Sequence, residues 1–316
     1  LGVLLATPFL LSLINFNKLA NQQKKSRILI LSSAAVLFLS VLVLTTFFID
    51  FSNAAANQST NREVKSIENG LYRELNNSMA QLQNLASFIQ NTEGLDRVSL
   101  DRETFSIFVK ELMSTQPTIG AMSWNPVIAQ QDRLKNEAEL EQVYGYKIAI
   151  RGEPLLESDP MVYVKLISPE QKNKKAIGFN VYSNQKRKST LMEAEFSYQP
   201  KATPIIQLVQ SDAKEPGYLM FFPVFEGNKK LIGYATGIFL AEEMLLRALD
   251  MNGSKHFDYE LYEKDSDTWF SSNNAGESLL DVFDAENLTF QLAGQTWLLY
   301  LKTNRAYFLQ QQSQSY

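Results

Sequence analysis

Acids that could share catalytic work are scattered. Glu193 and Glu195 stand two apart and diverge on a helix, while Glu242-Glu243 and the spaced Asp265 and Asp267 fall in segments that read as surface. The single histidine, His256, lies between Lys255 and Phe257 without a second imidazole for a metal. The absence of cysteine excludes disulfides and thiolate zinc. No phosphate loop, nucleophile elbow or HExxH motif occurs. The clusters Lys172, Lys174, Lys175 and Lys186, Arg187, Lys188 read as solvated turns and helix starts, with anion binding as the alternative. These features predict a non-catalytic chain with no metal and no cofactor.

What remains are candidates for binding. Asn180 stands between Phe179 and Val181, and strand alternation sends it to the face opposite both. One polar group in an apolar concavity is how small-molecule sites are built, whereas an ordinary solvent-facing strand residue is the alternative. Trp124, Asn125 and Pro126 follow a strand-like run, and Arg133 comes seven residues after Pro126. Trp124 reads as packing and Arg133 as satisfying strand-end carbonyls, with ligand contact as the alternative. Phe221 and Phe222 fill a core, with one ring at a pocket wall as a variant of that reading. Gly233 and Gly237 permit close approach of backbone or ligand, or mark a bulge.

The elements that must position these residues begin with a membrane anchor. Ile28 to Ile49 is free of charge, and at the helical rise it spans about 33 Å, matching a hydrocarbon core of about 30 Å. Lys18, Lys24, Lys25 and Arg27 precede it and only Asp50 follows closely, so the positive-inside rule puts the amino flank in the cytoplasm and everything after Phe51 outside. The apolar run 1–16 reads as the end of a preceding transmembrane helix, with 17–27 as a cytoplasmic basic loop and 28–51 as the spanning helix. The first 51 residues carry +3, so the remainder holds −7 of a chain whose net charge is −4. A mildly acidic outer region offers no basic footprint for nucleic acid.

Val64, Ile67, Leu71, Leu75, Met79, Leu82, Leu85 and Ile89 recur at steps of three and four, which predicts a long amphipathic stalk helix over 52–93. That stripe packs on its own domain, on a partner stalk, or on both. A second helix opens near Ser99 or Asp101, carries Phe105, Phe108, Val109 and Leu112 on one face, and ends at Pro117. Strands are expected at Ile119 to Ile128, Tyr146 to Arg151, Val162 to Ile167 and Ile177 to Tyr182, with helices through Arg133 to Leu140 and Gln185 to Phe196. Pro204 to Val209, Tyr218 to Phe225 and Leu231 to Phe239 read as consecutive antiparallel strands. After a helix at Glu242 to Leu249, a second set follows at Tyr259 to Tyr262, Thr268 to Ser271, Leu288 to Leu292 and Thr296 to Leu301, with a tight turn at Ala293-Gly294. The fold class is α+β, with two strand clusters behind the long helices.

Four stretches in series carry a family resemblance: PTIGAMSWNPVIAQQDR (Pro117 to Arg133), IGFNVYS (Ile177 to Ser183), AEFSYQPKATPIIQLVQ (Ala194 to Gln210) and GYLMFFPVFEGNKKLIGYATGIF (Gly217 to Phe239). The chain resembles the CHASE family, the extracytoplasmic sensors of bacterial diguanylate cyclases, histidine kinases and plant cytokinin receptors. The resemblance implies two tandem PAS-like lobes with antiparallel sheets on a transmembrane and stalk helix. A membrane-distal lobe at 94–240 takes a small-molecule ligand, and a membrane-proximal lobe at 241–316 leads to a second crossing. It also implies a homodimer through the stalk, a bacterial inner membrane with a periplasmic sensor, and an output domain of the GGDEF or histidine-kinase type. Asn180 falls where the cytokinin receptors hold the adenine edge with aspartate, and Ala202 and Thr203 match a strand facing the same pocket, with one residue missing beside Pro204. Trp124, Phe221 and Gly233 complete the expected ligand-binding set. The apolar run 1–16 resembles the last helix of multi-pass membrane-associated sensor domains.

Overall fold

The computed structural model describes residues 21–95, 100–207, 216–227, 229–251, 257–264, 269–272 and 286–303. The expected span at 1–16, His256, and Asp265 and Asp267 lie outside them. The chain divides into two compact units, Leu1–Arg62 and Glu63–Tyr316. Helix α1 (Asn21–Ile89) is continuous over 69 residues, as the unbroken periodicity predicts.

In the first unit, Arg27–Phe51 is long and apolar enough to cross a membrane, with a mean hydropathy of 2.7. Its apolar side chains point outward all round, among them Leu37, Leu44, Phe47 and Phe48. Each hydroxyl in this stretch finds a carbonyl on its own helix: Ser32 donates to Leu29 O at 2.9 Å, Ser40 to Leu37 O at 2.8 Å and Thr46 to Val43 O at 2.9 Å. A hydroxyl satisfied this way can sit in hydrocarbon without an orphaned donor.

In the second unit α1 buries the predicted stripe: Val64, Ile67, Leu71, Leu75, Leu82, Leu85 and Ile89 are buried and Met79 is half-buried. They pack on the chain's own sheet. Glu74 and Ser78 lie on the same face, and Gln116 Nε2 donates to Glu74 Oε2 at 2.8 Å and to Thr118 Oγ1 at 2.9 Å. Asp101 caps helix α2 (Arg102–Thr115), its carboxylate accepting from Thr104 N at 2.9 Å, and Phe105, Val109 and Leu112 join the same core.

The larger sheet has seven strands: β1 (Ile119–Ile128), β2 (Met161–Val162), β3 (Leu166–Ser168), β4 (Lys201–Ala202), β5 (Ile206–Gln207), β6 (Pro216–Glu226) and β7 (Lys230–Leu240). Its order is β2-β1-β7-β6-β4, with β3 also on β1 and β5 on β6, all antiparallel. Helices α3 (Arg133–Tyr144) and α4 (Gln185–Ser197) belong to this lobe, and α5 (Ala241–Met251) follows β7 directly. The smaller sheet, β10-β11-β8-β9, comprises β8 (Phe257–Glu263), β9 (Trp269–Ser272), β10 (Glu286–Leu292) and β11 (Gln295–Thr303). Ala293 and Gly294, at φ 43° and 96°, turn β10 into β11 as the Ala-Gly pair predicts. The two lobes share a core, where Tyr218 meets Trp297 edge-on at 5.1 Å.

Three expected strands are corrected. Tyr146 to Arg151 holds no strand, only a single bridge from Arg151 to Phe179. Val162 to Ile167 is broken into β2 and β3: between them Tyr163 bridges Asn180 and Val164 N donates to Phe179 O at 3.1 Å, before Lys165 N returns to β1 at Trp124 O, 3.0 Å away. Ile177 to Tyr182 is a turn entering a 3-10 helix at Val181–Ser183, with Gly178 at φ 76°, where an added Cβ would stand 2.7 Å from Ala149 O.

Candidate functional site

Strand alternation gives the seven-stranded sheet two unlike faces. Pairing aligns Ser123, Thr236 and Phe221 in one row across β1, β7 and β6, and Ala121, Ile238 and Leu219 in the next. These side chains, with Asn125, form the face away from α1. The residues between them, Met122, Trp124, Met220 and Ala235, join the core that contains the α1 stripe.

The first face is roofed by Val164, Ile167, Ala176, Phe179, Val181 and the start of α4, enclosing a cavity of about 30 Å³. That is close to the volume of one water. Its walls are apolar apart from Ser123, Asn125, Thr236 and Arg187. Asn125 Nδ2 donates to Thr236 Oγ1 at 2.8 Å, which leaves the other end of the amide, Oδ1, buried without a partner. Arg187 is 8% exposed, and its Nε is likewise buried without an acceptor. Its guanidinium lies 5.2 Å from the centroid of the Phe179 ring, and among the described residues no carboxylate pairs with it. Burial alone pulls the guanidinium below its ordinary pKa.

Its neighbour is held differently. Lys188 Nζ reaches both Asp159 oxygens at 2.6 and 2.7 Å and lies over the Tyr182 ring. Asp159 in turn accepts from Leu156 N at 3.0 Å. The expectation that Lys186, Arg187 and Lys188 form a solvated helix start is therefore corrected for two of the three: Arg187 and Lys188 are buried. A signal for this exists in the sequence, since Arg187, Leu191 and Ala194 occupy one face of α4 at helical spacing.

The expected ligand-binding residues separate. Phe221 lines the cavity, edge-on to Tyr234. Asn180 is fully buried beside the roof but turned from the cavity, which Phe179 and Val181 line in its place. Its Oδ1 accepts from Val162 N at 3.0 Å and Tyr182 N at 3.2 Å, and its Nδ2 donates to Gly152 O at 3.0 Å. Asn180 thus pins the roof segment to the strands, and the solvent-facing alternative is corrected by its burial.

Thr203 joins the sheet edge: its N donates to Leu219 O at 2.8 Å and its Oγ1 accepts from Leu219 N at 3.1 Å. Ala202 joins the two lobes, its N donating to Ala293 O at 3.0 Å and its O accepting from Gln295 Nε2 at 2.9 Å. Trp124 lies on the α1 face with its ring over Gly233, where an added Cβ would sit 2.4 Å from the indole. The close approach that Gly233 permits is thus that of the Trp124 ring and of the Asn125 carbonyl. Arg133 donates to Ile150 O and pairs with Glu137 and Glu153, the carbonyl-satisfying role expected of it. A larger hollow of about 730 Å³ between α2 and β3 is an open groove whose Arg102 is paired with Glu170.

An antiparallel sheet with a long helix on one face and a roofed cavity on the other, followed by a second small antiparallel sheet, makes an α+β arrangement of two lobes. The CHASE domain matches residues 98–277, more than half of the chain, and the chain belongs to that family. No curated protein matches it. Among solved structures it is similar to an extracellular ligand binding receptor from Desulfohalobium retbaense (12% identity, TM-score 0.47), covering 76% of this chain and 39% of that one. It is also similar to the periplasmic sensory domain of the Campylobacter jejuni chemoreceptor Tlp1 (11% identity, TM-score 0.45), covering 78% of this chain and 92% of that one. A third is the ligand-binding domain of the Pseudomonas aeruginosa amino acid chemoreceptor PctC in complex with GABA (13% identity, TM-score 0.44), covering 78% and 97%.

Proposed function

We propose that this chain is the ligand-sensing region of a transmembrane signalling receptor. A small molecule enters the cavity of the seven-stranded lobe, and the change passes through α1 to an output domain on the other side of the membrane. The observation that carries this reading is the unsatisfied polar equipment of an otherwise apolar cavity, since buried polar groups without partners are costly to keep. Transmission is supported by β1, whose alternate residues Ser123 and Asn125 face the cavity while Met122 and Trp124 face the α1 core. A displacement at one face is therefore felt at the other through a single strand.

On this reading the seven-stranded lobe is membrane-distal over 94–240 and the four-stranded lobe membrane-proximal over 241–316. The anchor lies in a bacterial inner membrane with the sensor in the periplasm, and two copies associate along the stalk. The output is a GGDEF diguanylate cyclase, with a histidine kinase as the alternative. The small volume of the cavity favours a second reading, a dimerisation or adhesion module that takes no ligand. A thermal-shift screen of the full chain against nucleobases, amino acids, organic acids and peptides separates the two. A ligand at a hundredfold its dissociation constant adds about 2.7 kcal/mol of stability. A response reduced by Phe221→Ala supports sensing, and a flat screen supports the module without a ligand.

A further inference from the structure

Among the described residues Arg187 is the sole charged side chain that lines the cavity, and its buried Nε has no acceptor. A guanidinium stays protonated in a protein interior and carries five donors in a planar fork. Such a group is destabilising when it is desolvated without a counter-charge, and it is matched in shape by a planar carboxylate. Lys188, the next residue, shows how this lobe treats a buried cation that serves only structure, since Asp159 lies against it at 2.6 Å. Arg187 is left open toward the cavity.

We infer that Arg187 is the anchor of a carboxylate subsite, and that the ligand of this lobe is a small free monocarboxylic acid. The inference deepens the sensor reading above and rests on it. One unneutralised cation calls for one negative charge, so a phosphate dianion or a dicarboxylate would carry a surplus into an apolar enclosure. The small volume of the cavity, about 30 Å³, favours a small acid over the end of a polypeptide. The free end of the Asn125 amide gives the acid a second polar contact, since the hydroxyl of Thr236 can either donate or accept and so lets the amide present its oxygen or its nitrogen. The present volume fits the carboxylate head, and the apolar body of the acid takes the place of Phe179, whose ring now stacks on the guanidinium. Binding thus exchanges a cation–π contact for a charge-assisted one and moves the roof segment.

The test is a titration of the full chain in lipid nanodiscs with acetate, propionate and lactate, each against its neutral amide, read by calorimetry and thermal unfolding. An acid is expected to bind and its amide to fail. Arg187→Met is expected to lose about tenfold to a hundredfold in affinity, with Arg187→Lys between it and the wild type. Without ligand, Arg187→Met is expected to unfold at or above the wild-type temperature, because a desolvated cation has been removed. A ligand-free Arg187→Met protein that unfolds well below the wild type would make the guanidinium a structural group and overturn the subsite. Binding of a neutral compound, undiminished in Arg187→Met, would overturn the acid while leaving the sensor standing. Silence of the wild type toward the acids, amides and the wider screen would overturn both readings.

Discussion

The two faces of the seven-stranded sheet differ in what they bury. Toward α1 the sheet presents Met122, Trp124, Met220 and Ala235 to Leu, Ile and Phe side chains, in a core that extends without a break into the second lobe. Toward α4 it presents Ser123, Asn125 and Thr236, roofed by a segment that also buries Arg187, Lys188 and Asp159. Apolar burial contributes about 25 cal/mol for each Å² removed from water, whereas a buried charge returns little even when it is well paired. Both faces bury apolar clusters, and the larger one, shared with the second lobe, is on the α1 face. The α4 face carries groups whose retention stability alone does not explain.

Substitutions can break or sharpen this contrast. The largest effect is expected on the α1 face: Trp124→Ala should lose about 4 kcal/mol in denaturant unfolding, since it empties the space above Gly233. Lys188→Ala strands Asp159 in the interior and should lose about 3 kcal/mol, while Lys188→Met together with Asp159→Leu should recover most of it. If the double variant recovers nothing, the ion pair itself stabilises the roof and the contrast between the faces weakens. Asn180→Ala leaves two buried backbone amides and the half-buried Gly152 carbonyl without their partner and should lose about 2 kcal/mol, with faster hydrogen exchange at Val162 and Tyr182. The smallest change, about 1 kcal/mol, is expected for Asp101→Ala, which removes one helix cap and should leave any response to ligand unchanged.

Legibility in the sequence follows the same division. The α1 stripe, the β6–β7 hairpin and the β10–β11 turn are readable because each rests on local periodicity or on a turn residue close in the chain. Residues 146–183 are not, because their geometry is imposed from afar: Asn180 ties Gly152 to Val162, and single bridges replace a ladder. The same limit applies to the candidate site. Phe221 and Phe222 read first as core, with one ring at a wall as the variant, and Phe221 is the one that lines the cavity, whereas Asn180, placed by alternation and resemblance, and Ala202 and Thr203, placed by resemblance, are occupied with other groups of this chain. Arg187 is visible only as one of three cations in a run, which reads first as solvated and second as anion-binding, until the helical face through Leu191 and Ala194 is traced back one turn.

The contact between Trp124 and Gly233 also constrains how this sequence can drift. No side chain fits at position 233 while the indole lies across it, and no smaller residue at 124 fills the space that the glycine leaves. The Asn125 carbonyl oxygen would stand 2.5 Å from the same Cβ, so a smaller residue at 124 does not by itself admit a side chain at 233, and the glycine is held from two sides. Among relatives of this chain, glycine is expected at this position whether or not the tryptophan is kept.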